Sequence, residues 1–84
     1  MITNPYAKAV ILEVVDNQIR DNTPPETRRT FARLLEEGYD EDEAKRLIGC
    51  VLVSEIWDIM KHRKPYNQTR YVAALQKLPE LPED

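Results

Sequence analysis

The segment from Gly38 to Pro65, GYDEDEAKRLIGCVLVSEIWDIMKHRKP, constrains the fold more than any other part of the chain. Gly38 stands where a left-handed residue ends a preceding helix at least cost. Asp40 and Glu43 form a capping-box pair, and Tyr39 is placed to staple onto Ala44. Beyond them, Ala44, Leu47, Ile48, Val51, Leu52, Ile56, Trp57, Ile59 and Met60 occupy far more than a narrow stripe, so this helix must touch neighbours on two sides. Lys61, Arg63 and Lys64 put positive charge at the negative end of the helix dipole, and Pro65 cannot continue the helix. A long central helix over about 41–64 follows.

Three shorter helices are predicted around it. Asn4 followed by Pro5 is a start signal for a helix over 5–21, whose stripe is Ala7, Val10, Ile11, Val14, Val15 and Ile19. Asn22 to Pro25 break it, and a second helix runs over 25–37 with Phe31, Leu34 and Leu35 on one side. Asn67 caps a fourth helix over 68–78, with Tyr66 and Tyr71 at staple spacing and Val72, Ala74, Leu75 and Leu78 facing inward. Residues 79–84 form an acidic tail. The reading is an all-α, compact four-helix bundle in one domain spanning 1–84, since 84 residues leave no room for a second core.

Composition narrows the function classes. A core of this size supplies about 3–5 kcal/mol without a staple, and Cys50, the only cysteine, offers no disulfide. It lies inside an apolar helical stretch and reads as an inert core thiol, compatible with a reducing cytoplasm. The apolar runs fall short of the ~20 residues that span a bilayer, so a cytoplasmic protein without membrane contact is expected. The net charge of −3 argues against a chain whose main business is neutralising phosphate.

The strings PPETRRTFARLLEEGYDEDEAKRLIG and SEIWDIMKHRKPYNQTRYVAALQKLP carry a likeness. Its marks are the Gly38-Tyr39 turn with the acidic run before Ala44, then Glu55-Ile56-Trp57, Lys61, Pro65-Tyr66, and Arg70-Tyr71-Val72 leading to Leu75 and Leu78-Pro79. Over about two thirds of its length the chain resembles a small prokaryotic helical domain family of uncharacterised function. The resemblance implies the fold and no activity. LLEEGYDEDEAKRLI is also similar to the glycine-aromatic turn of ubiquitin-associated domains, a spacing that many helical hairpins share.

Glu55, Asp58 and His62 share one helical face and could present two carboxylates and an imidazole to a metal. His62 is the only histidine, however, and an Asp58–His62 pair near the helix end is the simpler expectation; no cofactor or metal is expected. Glu55 is more unusual. It continues the apolar line from Ile48 through Val51 and Leu52, where an unpaired carboxylate is costly, so a polar core contact with Arg70 or a tyrosine hydroxyl is expected.

In KHRKPYNQTRY, cations stand among aromatic rings, a combination that can pair with phosphate while the rings stack on bases. A nucleic-acid surface of Lys61, Arg63, Lys64 and Arg70, with Arg28, Arg29 and Arg33, is therefore the alternative reading. Major-groove readout by the 41–64 helix is excluded, because Asp40 to Glu43 would lead it into the phosphate backbone. No nucleophile with a base, no phosphate loop and no acid–base pair stands out, and the chain does not read as an enzyme. The favoured reading is a small adaptor, assembly or regulatory module that contacts another protein or itself. Its expected contact residues are Val53, Ile56, Trp57 and Met60, apolar surface beyond what three short helices can cover.

Overall fold

The computed structural model describes residues 5–82, which form the helices α1 (Pro5–Asp21), α2 (Pro25–Glu36), α3 (Glu41–His62) and α4 (Gln68–Lys77). Among the described residues there is no strand. The architecture is an all-α bundle, and its radius of gyration of 12.1 Å is that of a single compact unit of about this length. Asn4, the expected cap of α1, lies outside the described residues, as do Glu83 and Asp84 of the acidic tail.

Each helix stops for a local reason. At the end of α1, Asn22 turns left-handed (φ 55°), and the Thr23 N–H donates to the Gln18 carbonyl at 3.1 Å. Asparagine tolerates that conformation better than most side chains. After α2, Gly38 takes φ 103°; its N–H donates to Leu35 O and that of Tyr39 to Leu34 O, both at 3.1 Å. This pair of bonds is the Schellman arrangement that closes a helix on a glycine. The capping box opens α3: Asp40 Oδ1 accepts from the Glu43 N–H at 2.8 Å, and Glu43 Oε1 accepts from the Asp40 N–H at 3.4 Å. Asn67 caps α4 by accepting from the Arg70 N–H at 3.0 Å.

The ends of α2, α3 and α4 fall one or two residues short of the predicted 37, 64 and 78. In α3 the cause is Arg63, which adopts the left-handed region (φ 53°) and breaks the helix before Pro65 is reached. A β-carbon in that conformation costs about 1–2 kcal/mol.

The buried core consists of Val15, Leu34, Ala44, Ile48, Val51, Leu52, Tyr71, Leu75 and Leu78. Four of these nine belong to α3, which packs against all three other helices. α2 does so too, so α3 shares the central place with it. The α1–α3 pair is antiparallel: Lys45 Nζ meets Asp16 Oδ1 at 2.9 Å, and Gly49 lies under Ile11. A β-carbon at Gly49 would come 3.2 Å from Ile11 Cγ2, so the missing side chain permits this close crossing.

Burial departs from the expected faces on α1 and α2. Val15 is buried, and Ile11 and Ile19 pack on the core, but Ala7, Val10 and Val14 point to solvent. On α2 the buried face is Thr27, Thr30 and Leu34, with Phe31 at its edge and Leu35 exposed. Thr27 is inward because it takes part in a polar junction. Gln18 Oε1 of α1 accepts from Thr27 Oγ1 at 2.9 Å and from the Tyr71 hydroxyl at 2.8 Å, tying α1 to α2 and α4. α1 and α4 do not otherwise pack on one another.

Two substitutions should move stability in opposite directions. Tyr71→Phe removes one donor from Gln18 and should cost about 1 kcal/mol, whereas Arg63→Gly should stabilise by about 1 kcal/mol by relieving the left-handed backbone. Urea denaturation of the two variants reads both signs.

Candidate functional site

The candidate surface is built around the C-terminal half of α3 and the connection to α4. Its foundation is Glu55, which is 5% exposed and points into the bundle. Arg70 meets it with a two-pronged contact: Nε donates to Oε2 at 2.9 Å and Nη2 to Oε1 at 2.7 Å. The Asn67 N–H adds a third bond to Oε1 at 3.2 Å. A carboxylate so enclosed is stabilised in its charged form. The guanidinium of Arg70 first, and then the Asn67 amide, hold the Glu55 carboxyl below its ordinary value of 4.5 against the opposing effect of burial. Tyr66 stacks at a tilt on Tyr71, with ring centroids 6.3 Å apart. Burial, with the charges of Glu55 and Glu26 nearby, pushes the Tyr66 hydroxyl above its ordinary value.

On the outer side of the same stretch, Val53 is half-buried, and Ile56, Trp57 and Met60 are 37%, 51% and 71% exposed. These positions follow i, i+3, i+4 and i+7 spacing, so they share one face of the helix. α1 covers α3 at Lys45 and Gly49 and leaves this later stretch open. Lys61 sits over the Trp57 ring, its Nζ 5.8 Å from the centroid. Lys61, Arg63 and Lys64 are exposed at the C-terminal edge of the face.

The structure divides the expected nucleic-acid residues. Lys61, Arg63 and Lys64 stay together, whereas Arg70 spends its guanidinium on Glu55. Arg28 closes the end of α1, donating to the carbonyls of Ile19 and Arg20, each at 2.9 Å. Arg33 closes the end of α4, donating to Leu75 O at 3.1 Å and Leu78 O at 2.9 Å while pairing with Glu37 at 2.8 Å. Arg29 remains exposed on α2. The roles of Arg28 and Arg33 had no local signal in the sequence, because their acceptors are backbone carbonyls 8 to 45 positions away.

The Glu55, Asp58 and His62 face does not assemble as a ligand set. Glu55 turns inward to Arg70, His62 is exposed, and no ion pair joins Asp58 to His62. Among the described residues no group of three or more His, Cys, Asp or Glu side chains converges on a possible metal position. No helix among them is long and apolar enough to cross a membrane. A groove between α4 and the 80–82 segment is lined by Arg70, Ala73, Ala74 and Lys77 on one side and Glu80, Leu81 and Pro82 on the other.

The chain belongs to the family of the domain of unknown function DUF1841, whose profile matches residues 2–77. No curated protein and no solved structure matches it.

The Glu55 contact makes a signed prediction. Glu55→Gln should destabilise by about 1–3 kcal/mol at neutral pH, the range for losing a charged, partly buried pair. Because the folded-state value lies below the unfolded one, that contribution is fully present above about pH 5 and is lost as pH falls through the folded value. Stability curves of the two proteins from pH 7 to pH 3 should therefore converge on acidification.

Proposed function

We propose that this DUF1841 domain is a protein-interaction module, an adaptor, assembly or regulatory unit that acts by contact and not by catalysis. The observation that carries the reading is the open face of α3, where Trp57 and Met60 are exposed beside Ile56 and Val53. Large apolar side chains aligned on one helical face, with the exposed Met60 and the only tryptophan among them, are the kind of surface a partner covers. The partner is another protein or a second copy of the chain. The same reading assigns the module to the cytoplasm, in keeping with a sequence that holds one cysteine.

A nucleic-acid reading keeps one specific support: Lys61, Arg63 and Lys64 are exposed next to the Trp57 ring. It loses Arg28, Arg33 and Arg70 to intramolecular contacts.

Capture from a nuclease-treated lysate of the source cells tests the proposal. Trp57→Ser with Met60→Ser should leave stability within about 0.5 kcal/mol, as is usual for exposed sites, and should abolish capture of a specific protein that the unaltered chain retains. Sedimentation at rising concentration identifies a second copy as the partner. Capture unchanged by the double substitution would overturn the reading, and complete loss of bound material on nuclease treatment would favour nucleic acid.

A further inference from the structure

The rim of the α3 face has a charge that its apolar floor does not explain. Lys61, Arg63 and Lys64 are all exposed, and the ion pairs among the described residues engage none of them. Of the carboxylates on this stretch of α3, Glu55 is closed by Arg70 and Asn67, and Asp58 is half-buried and makes no ion pair with the three cations. The rim also carries Arg63 in a left-handed conformation where glycine would cost less, so a cation stands there against the backbone's preference.

We infer that the occupant of this face is an acidic amphipathic helix of another protein, its apolar side chains on Val53, Ile56, Trp57 and Met60 and its carboxylates toward Lys61, Arg63 and Lys64. The inference rests on the protein-contact reading above and adds the chemistry of the partner. From Val53 to Met60 the face is about 10 Å long, two turns of α3, as wide as the ~10 Å diameter of one helix laid across it.

Charge argues against a second copy as occupant. In a parallel two-fold pairing of α3 the basic rims would meet each other. In an antiparallel pairing centred on Ile56 and Trp57, residues 61–64 come opposite 49–52, and the next charge along is Arg46, again a cation. Within α3 itself, neither arrangement sets a carboxylate opposite Lys61, Arg63 or Lys64. An acidic helix gives them one while its apolar side covers Trp57 and Met60, and opposite charge also speeds encounter.

Trp57 is the only tryptophan, so its emission reports occupancy of the face directly. The probe is a synthetic 18-residue helical peptide with leucine at i, i+3, i+4 and i+7 and glutamate on both flanks. Its controls are the same peptide with lysine for glutamate, a single-stranded oligonucleotide, and phosphatidylserine-containing vesicles. A saturable blue shift with the acidic peptide is expected, at least about tenfold weaker with the lysine peptide and weakened by salt. Lys61→Glu with Lys64→Glu should lower affinity by at least about tenfold, and Met60→Asp should lower it as well; all three positions are exposed, so the fold is retained.

Equal response to the two peptides, no saturable response to the acidic one, or tighter binding of the oligonucleotide or the vesicles would overturn the inference. If capture from lysate depends on Trp57 and Met60 while the acidic peptide fails, the partner's charge is refuted and the contact face stands. If capture is independent of those residues, the protein-contact reading itself falls.

Discussion

A carboxylate placed on the inner face of a helix must be neutralised where it lies, and much of this protein follows from how Glu55 meets that requirement. Its desolvation would cost several kcal/mol if it were alone. Arg70 supplies a planar fork whose two N–H groups match the two oxygens, and the Asn67 amide fills a remaining acceptor site. Arg70 lies in the first turn of α4 and Asn67 is that helix's cap. One side chain on α3 therefore fixes where α4 begins and how the 63–67 connection runs. That connection carries Arg63 and Lys64 beside the open apolar face. The internal ion pair and the external cations are two consequences of one chain path.

Comparable polar fastening recurs where the core is thin. Arg28 closes the last turn of α1, and Arg33 closes that of α4 from a helix more than 40 positions earlier. Gln18 joins three helices through two hydroxyls. A nine-residue core in so short a chain leaves little hydrophobic surplus, and directional bonds between helices select one arrangement among the several that apolar packing alone would accept. Arginine suits the helix ends because its guanidinium satisfies carbonyls that the helix leaves open while keeping its charge near the negative pole of the dipole.

What was legible in the sequence was local. The Gly38 turn, the Asp40–Glu43 box and the Asn67 cap each involve residues within a few positions of each other, and each appears where the spacing places it. Glu55 was legible as an anomaly, a carboxylate in an apolar line, and Arg70 was among the partners that line suggests. The stripes of α1 and α2 are less legible, because periodicity identifies an apolar face without saying which part a neighbour will cover. Val10 and Val14 remain outside, Thr27 goes inside because a glutamine on another helix accepts its hydroxyl, and Thr30 is buried one turn further along the same face. The stop at Arg63 was hidden for a different reason: a left-handed arginine is set by the path the chain must take to bring Asn67 under Glu55, and no residue near it announces that path.

The face offered by Val53, Ile56, Trp57 and Met60 is useful to a partner only if the α3–α4 connection holds its cations in place, so it depends on the Glu55 fastening. The Asn67 amide tests it directly. That residue is exposed, precedes the regular bonding of α4, and is bonded through its N–H to the Glu55 carboxylate. Amide hydrogen exchange followed by NMR should show the Asn67 N–H protected in the native chain, with protection lost selectively in Glu55→Ala, which removes both acceptor oxygens, while the α2 and α3 core amides stay slow. An Asn67 amide that exchanges at the unprotected rate in the native chain would mean that Glu55 does not hold the start of α4.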